Sequence, residues 1–89
     1  MSETKRAYFT YMVRCADGTL YTGFTVDYVH RRIAMHNAGK GAKYTKSRRP
    51  VELVWYHEWE SEHEARSAEY HMKKLSRREK EELVKEFGD

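Results

Sequence analysis

Five side chains stand where polar groups are costly or grouped: Tyr11, Tyr21, Arg32, His36 and Glu69. Glu69 lies inside an apolar stripe of Ala65, Ala68, Met72 and Leu75, spaced i, i+3, i+7 and i+10 as on one face of a helix. A carboxylate on the core side of a helix is expensive unless it is paired or binds a cation. The plainer alternatives are a salt bridge to a nearby Lys or Arg, or a place at the rim. Arg32 and His36 repeat the anomaly, falling within about 60° of the inner face that Val29 and Ile33 define. One shared polar site would satisfy all three groups. It is either a structural Arg32–Glu69 ion pair or a catalytic cluster, and spacing alone does not choose.

The two tyrosines depend on a turn. Asp17-Gly18 signals a hairpin, with Tyr11 on one arm and Tyr21 on the other. A two-residue Asp-Gly loop pairs Tyr21 with Arg14 and sends the tyrosines to opposite faces. A three-residue loop, Ala16-Asp17-Gly18 with Gly18 left-handed, pairs Tyr21 with Val13 and Tyr11 with Gly23. Both hydroxyls then leave one face, and the bare backbone at Gly23 leaves room for a phosphate. A functional site requires this second register, although tyrosine is also simply a common strand residue.

Charge is unevenly distributed. Residues 1–27 carry three basic and three acidic side chains, and residues 51–89 carry seven basic and eleven acidic. Residues 28–50 carry seven basic (Arg31, Arg32, Lys40, Lys43, Lys46, Arg48, Arg49) and none acidic. Such a run is usually a solvated surface. Here Tyr44, Gly39 and Gly41 interleave it, and the glycines permit close backbone approach, a pattern that suits a polyanion such as nucleic acid. A zinc site among His36, His57, His63 and His71 is disfavoured by the single cysteine and irregular spacing; scattered surface histidines are the better reading. No apolar run approaches the ~18 residues of a membrane span, and the first residues lack the apolar core of a signal peptide. Cys15 cannot form an internal disulfide, so a reducing cytoplasm is the expected compartment.

The elements that must carry these residues follow from local pattern. Residues 1–6 are polar and expected to be flexible, with one domain over 7–87. Residues 7–15 and 19–24 read as paired strands, and 51–59 as a third. Asp27 is placed to cap a helix over 28–37. Gly39 to Pro50 is the basic loop. Ser61-Glu-His-Glu64 and Ser76-Arg-Arg-Glu79 are capping boxes for helices running to about Leu75 and to Phe87, with Gly88 as a stop. The order β-β-α-β-α-α implies an α+β fold, a three-stranded antiparallel sheet flanked by helices.

Phe9-Thr10-Tyr11 and Tyr21-Thr22-Gly23 together resemble the two halves of the GIY-YIG nuclease signature. Residues 21–37 resemble the Slx-type structure-specific nucleases and the small YhbQ-like bacterial proteins. Ala-Glu-Tyr-His-Met-Lys-Lys-Leu (68–75) resembles the glutamate helix of the latter, and the resemblance spans roughly residues 7–86. It implies that Tyr11 and Tyr21 are the signature tyrosines, Gly23 the signature glycine, Arg32 and His36 the helix residues of the site, and Glu69 the metal ligand. Phe9 stands in place of the first signature glycine, and the only asparagine is Asn37, where the family often carries one in its last segment.

By that resemblance Glu69 holds one Mg²⁺ or Mn²⁺, completed by waters and a phosphate oxygen. Arg32 neutralises charge in the transition state. Tyr11 or Tyr21, as tyrosinate, deprotonates the attacking water, and His36 orients either or assists proton transfer. The pKa near 10 of a tyrosine must be lowered for this. Lys40, Lys43, Lys46, Arg48 and Arg49 track a nucleic-acid backbone, so cutting guided by structure is expected over strict sequence specificity. The implied function is a metal-dependent endonuclease on DNA, branched or nicked substrates included, serving repair or recombination. RNA stays open as a substrate. The alternatives are a non-catalytic nucleic-acid-binding module on the same fold, or an interaction module that needs a protein partner or a second copy.

Overall fold

The hairpin is the hinge of the site, and its turn takes the three-residue form. In the computed structural model, which describes residues 7–26 and 28–88, β1 (Tyr8–Arg14) and β2 (Leu20–Thr25) pair antiparallel. The Cys15 amide donates to the Thr19 carbonyl at 2.8 Å, leaving Ala16, Asp17 and Gly18 as the loop, with Gly18 at φ +87°. Only glycine adopts that conformation without strain. Asp17 Oδ1 stiffens the turn by accepting from the Thr19 amide at 3.1 Å and its hydroxyl at 2.7 Å. Tyr11 therefore faces Gly23, and Val13 faces Tyr21.

A third strand, β3 (Glu52–Trp59), pairs antiparallel with the other side of β1, giving the order β2-β1-β3. β1 is central, and residues 9–13 are buried throughout. Alternation splits them between two faces. Phe9, Tyr11 and Val13 join Cys15, Val29 and Val51 in one core, supported by Ile33, Leu53 and Tyr56. Each fully buried aliphatic or aromatic side chain contributes about 1.5–3 kcal/mol. On the opposite face Thr10 Oγ1 donates to the Ala65 carbonyl at 2.7 Å. A bulge between Met12 and Val13 shifts the β3 register, so Trp55 faces Met12 while Leu53 faces Val13.

The helices α1 (Val29–Asn37) and α3 (Glu62–Met72) thus lie on opposite faces of the sheet, α1 through Val29 and His36, α3 through Ala65. Ser61 caps α3, its Oγ accepting from the Glu64 amide at 3.2 Å. The capping box of α4 (Arg77–Gly88) is reciprocal: Ser76 Oγ accepts from the Glu79 amide at 3.1 Å and Glu79 Oε1 from the Ser76 amide at 2.9 Å. α4 packs on β3 through Phe87 and Tyr56, rings 5.2 Å apart, and is tied to β1 by a bidentate Arg14–Glu81 pair at 2.8 and 3.0 Å. Among the described residues no helix is long and apolar enough to cross a membrane.

The structure departs from the expected outline in four places. The basic loop contains a helical turn, α2 (Lys43–Lys46). α3 stops at Met72, because the Lys74 and Leu75 amides bond three residues back at 3.1 Å and Ser76 must leave the helix to cap α4. Gly88 is no left-handed stop; α4 continues through it. Gly39 (φ +81°) is the left-handed helix terminator, its amide bonding the His36 carbonyl at 3.0 Å while the Lys40 amide bonds that of Met35 at 2.9 Å. The expected flexible segment 1–6 and the expected Asp27 cap lie outside the described residues. Tyr28, which flanks α1, makes no side-chain capping bond.

Candidate active site

Tyr11 is the centre of the site because Gly23 lies opposite. A Cβ at residue 23 would sit 2.5 Å from the Tyr11 hydroxyl oxygen, so the missing side chain makes room for the phenol ring. The hydroxyl reaches across to α1 and meets His36 Nε2 at 2.8 Å. On its other side His36 Nδ1 meets Thr45 Oγ1 at 2.8 Å, and the Thr45 hydroxyl reaches the Ala42 carbonyl at 2.9 Å. Tyr11 is 1% exposed, His36 and Thr45 0%. Gly41 lies flat against the imidazole, where any Cβ would collide with the ring. The two interleaved glycines of the basic segment are thus used internally, Gly39 as a helix terminator beside the Arg49 guanidinium and Gly41 against His36.

Electrostatics follow from this burial. Desolvation first, and then the Arg32 charge, push the His36 pKa down to about 4, so the imidazole is neutral at neutral pH. Burial pushes the Tyr11 phenol above its ordinary 10.0, opposed by the Arg32 guanidinium, which favours the phenolate, and assisted by Tyr21 and Glu69. The Tyr11 hydroxyl thus bonds His36 and feels the charges of Arg32, Tyr21 and Glu69.

Tyr21 is half-buried on the same face, edge-on to His36 at 5.7 Å and stacked on Tyr44 at 5.6 Å. Arg48 covers the Tyr44 ring at 3.9 Å. Glu69, 23% exposed, pairs with Lys73 at 3.2 Å, and Lys73 also approaches the Tyr21 ring at 5.9 Å. Among the described residues no ion pair joins Arg32 to Glu69. Arg32 Nε is buried without a hydrogen-bond partner. The Arg32–Glu69 ion pair is not formed; Glu69 instead has the plainer partner among the expected alternatives, a nearby lysine, at the rim of the site.

The basic segment divides. Lys40, Lys43 and Lys46 are exposed. The arginines are committed to the protein: Arg48 bonds Asp17 at 3.0 Å and the Tyr44 carbonyl at 2.8 Å, and Arg49 bonds the Lys46 and Asn37 carbonyls at 2.8 and 3.3 Å. A surface depression of about 530 Å³ beside them is lined by Asn37, Lys46, Ser47, Arg49 and Pro50. Asn37 clamps the end of α1 to β3, accepting from the Val51 amide at 2.6 Å and donating to its carbonyl at 3.0 Å. His57, His63 and His71 are exposed while His36 is not. Thr45 and Lys73 are not singled out by the sequence, and Gly41, expected to admit a polyanion, packs on the His36 ring instead. The Lys-Tyr-Thr-Lys run around Thr45 carries no signal that separates it from a solvated surface.

The model of the GIY-YIG catalytic domain matches residues 7–82. This chain belongs to the GIY-YIG family. It is 49% identical to the UPF0213 protein YazA of Bacillus subtilis, over 89% of this chain and 79% of that one. It is 44% identical to a UPF0213 protein of Pediococcus pentosaceus, over 91% and 84%. A UPF0213 protein from Bacillus halodurans, solved by solution NMR, matches at a TM-score of 0.58 and 49% identity, covering 89% of this chain and 83% of its own. The GIY-YIG domain is a nuclease fold, which places the chain in a nuclease superfamily. Phe9, at the first signature glycine, is a core residue edge-on to Tyr56 at 5.9 Å.

Proposed function

We propose that this GIY-YIG chain is a divalent-metal-dependent endonuclease that cuts DNA, guided by backbone and shape. The observation that carries this reading is the unclosed polar site. Arg32 and Glu69 both bear on the Tyr11 hydroxyl, yet no ion pair joins them: Glu69 pairs at the rim with the half-exposed Lys73, and the buried Arg32 Nε has no partner. A purely structural pair would neutralise itself.

Glu69 offers one hard carboxylate, and among the described residues no three His, Cys, Asp or Glu side chains gather around an ion. That donor set fits Mg²⁺ or Mn²⁺, which keep most of their waters and take one or two carboxylates plus phosphate oxygens. Held by Glu69, the ion would supply Lewis-acid stabilisation of the phosphoryl oxygens.

The chain's own groups do the rest. Tyr11 is the general base, because its hydroxyl faces a proton acceptor, His36 Nε2, at 2.8 Å. Burial raises the phenol above its ordinary 10.0 and holds the imidazole near 4, and both shifts oppose the transfer. Positive charge beside the oxygen must offset them, and Arg32 is the protein's share. Arg32 also neutralises charge on the phosphate in the transition state. Tyr21, half-exposed, donates to a phosphate oxygen. Lys40, Lys43 and Lys46 contact the backbone, contacts that carry no sequence information. Arg48 and Arg49 hold the loop that presents them. Branched or nicked DNA is the substrate class this suits, in repair or recombination.

The test is cleavage of flap, junction and plain duplex DNA with Mg²⁺ or Mn²⁺, beside binding in EDTA. Nicking by the wild type, lost in Glu69→Ala and Arg32→Ala, is the expected result. Binding without cleavage, unchanged in Glu69→Gln, would leave a non-catalytic binding module instead.

A further inference from the structure

Thr45 is fully buried, although it sits in a helical turn of the basic segment flanked by exposed lysines. Its hydroxyl has one proton and two neighbours, the Ala42 carbonyl at 2.9 Å and His36 Nδ1 at 2.8 Å. A carbonyl oxygen can only accept, so the proton goes to Ala42 and the Thr45 lone pairs face the ring. The complementary ring nitrogen is a donor, Nδ1–H. One contact argues the other way: the Ala42 amide points at Nδ1, but from 3.4 Å. The Thr45–Nδ1 contact forms in either tautomer, so the choice lies between the Thr45–Ala42 bond at 2.9 Å and the amide contact at 3.4 Å, and the shorter bond is the stronger. With the imidazole neutral, a proton on Nδ1 leaves Nε2 as an acceptor, and its one partner there is the Tyr11 hydroxyl at 2.8 Å.

We propose that Thr45 is a positioning residue that fixes the Nδ1–H tautomer of His36 and, through it, turns the Tyr11 proton inward and the Tyr11 lone pairs outward. The chain of donors runs Tyr11 to His36 to Thr45 to the Ala42 carbonyl, so a loop carrying substrate-facing lysines also sets the direction of the hydroxyl. The reverse tautomer would aim Nε2–H at the Tyr11 oxygen and drive the phenol proton toward the Arg32 guanidinium, a donor facing a cation. Gly41 belongs to the same device, since only a residue without Cβ lets the loop close over the ring. The catalytic meaning of this arrangement rests on the reading of Tyr11 as a base, whereas the tautomer itself does not.

Two measurements separate these. In ¹⁵N-detected NMR of imidazole-labelled protein, His36 is expected to show a protonated Nδ1 and an unprotonated Nε2. Thr45→Val keeps the shape but removes the hydroxyl, leaving the Ala42 amide as the only neighbour of Nδ1, and the proton should move to Nε2. Thr45→Ser should keep the wild-type pattern. On a cleaved DNA substrate Thr45→Val should lower kcat about tenfold with KM unchanged, with Thr45→Ser restoring it, as expected for loss of one buried hydrogen bond. An unprotonated Nδ1 in the wild type, or Thr45→Val and Thr45→Ser giving the same ring signature, would overturn the proposal. Absence of any cleavage with the tautomer shift intact would overturn the nuclease reading and leave the positioning role standing.

Discussion

Thr10 and Thr22 hold the middle places of the two paired signatures, and the fold treats their hydroxyls differently. Thr10 Oγ1 donates to the Ala65 carbonyl at 2.7 Å and accepts from Trp59 Nε1 at 3.1 Å. Thr22, buried opposite Met12, has no partner for its oxygen. An unsatisfied buried hydroxyl costs roughly 1–3 kcal/mol, so Thr22→Val should raise stability by about 1 kcal/mol and Thr10→Val should lower it by at least as much. Urea denaturation checks this, and equal losses in both variants would contradict it. The Arg32 side chain is the other residue with an orphaned atom, and on the proposed function it is the group that meets the substrate phosphate. Arg32→Lys keeps the charge but loses the planar fork. Removing such a donor typically costs about 10²–10³ in kcat, and Arg32→Lys should recover only part of that loss in a nicking assay. Recovery to the wild-type rate would mean that charge alone is used there.

At the level of elements, the legible parts were those written in short-range pattern. The hairpin turn, the Ser76 cap and the start of α3 at Ser61 all depend on residues within four positions of one another. The segment from Gly39 to Pro50 was not legible, because α2 and its neighbours are held by partners distant in sequence: Arg48 by Asp17, Val51 by Asn37, Thr45 by His36. Its glycines were read as allowing a ligand to approach, and Gly41 instead admits the His36 ring. Gly41→Ala is therefore expected to destabilise by about 1–3 kcal/mol, the usual cost of overpacking. Gly88→Ala, with open space around it and no left-handed backbone, should change stability by less than about 0.5 kcal/mol. Thermal or urea denaturation of both distinguishes them, and similar small effects would show that the loop yields at Gly41.

For the molecule as a whole, shifted groups shape stability against pH, and His36 is the largest on the acid side. The unfolded His36 imidazole gains its proton near 6.5 while the folded one resists to about 4. Stability is therefore full above 6.5 and falls as pH drops from 6.5 to 4, by an amount on the order of 3 kcal/mol. Glu81, held down to about 2 by its bonds to Arg14, adds a smaller, solvent-screened loss as pH falls from 4.5 toward 2. Tyr11 acts at the alkaline end: its unfolded phenol ionises first, so stability falls as pH rises beyond 10.0. The buried Cys15 thiol, likewise pushed up from 9.0 by desolvation, starts the alkaline loss earlier, so a melting temperature that is level between about 6.5 and 9 and declines on both sides is expected. His36→Gln should flatten the decline between 6.5 and 4, and a decline of the same size in that variant would assign it to other groups.

The sequence by itself determined the order of the three strands and the three longer helices, and that Tyr11 and Tyr21 share a face only with a three-residue turn, because periodicity and turn chemistry are local. Tertiary structure alone decided that Arg32 and Glu69 stay apart, that Gly23 seats the Tyr11 ring, that two arginines of the basic run are structural, and that Thr45 meets His36. Those outcomes turn on which side chain reaches a given atom first. Distances between residues nine to thirty-seven positions apart settle that, and no spacing along the chain encodes them.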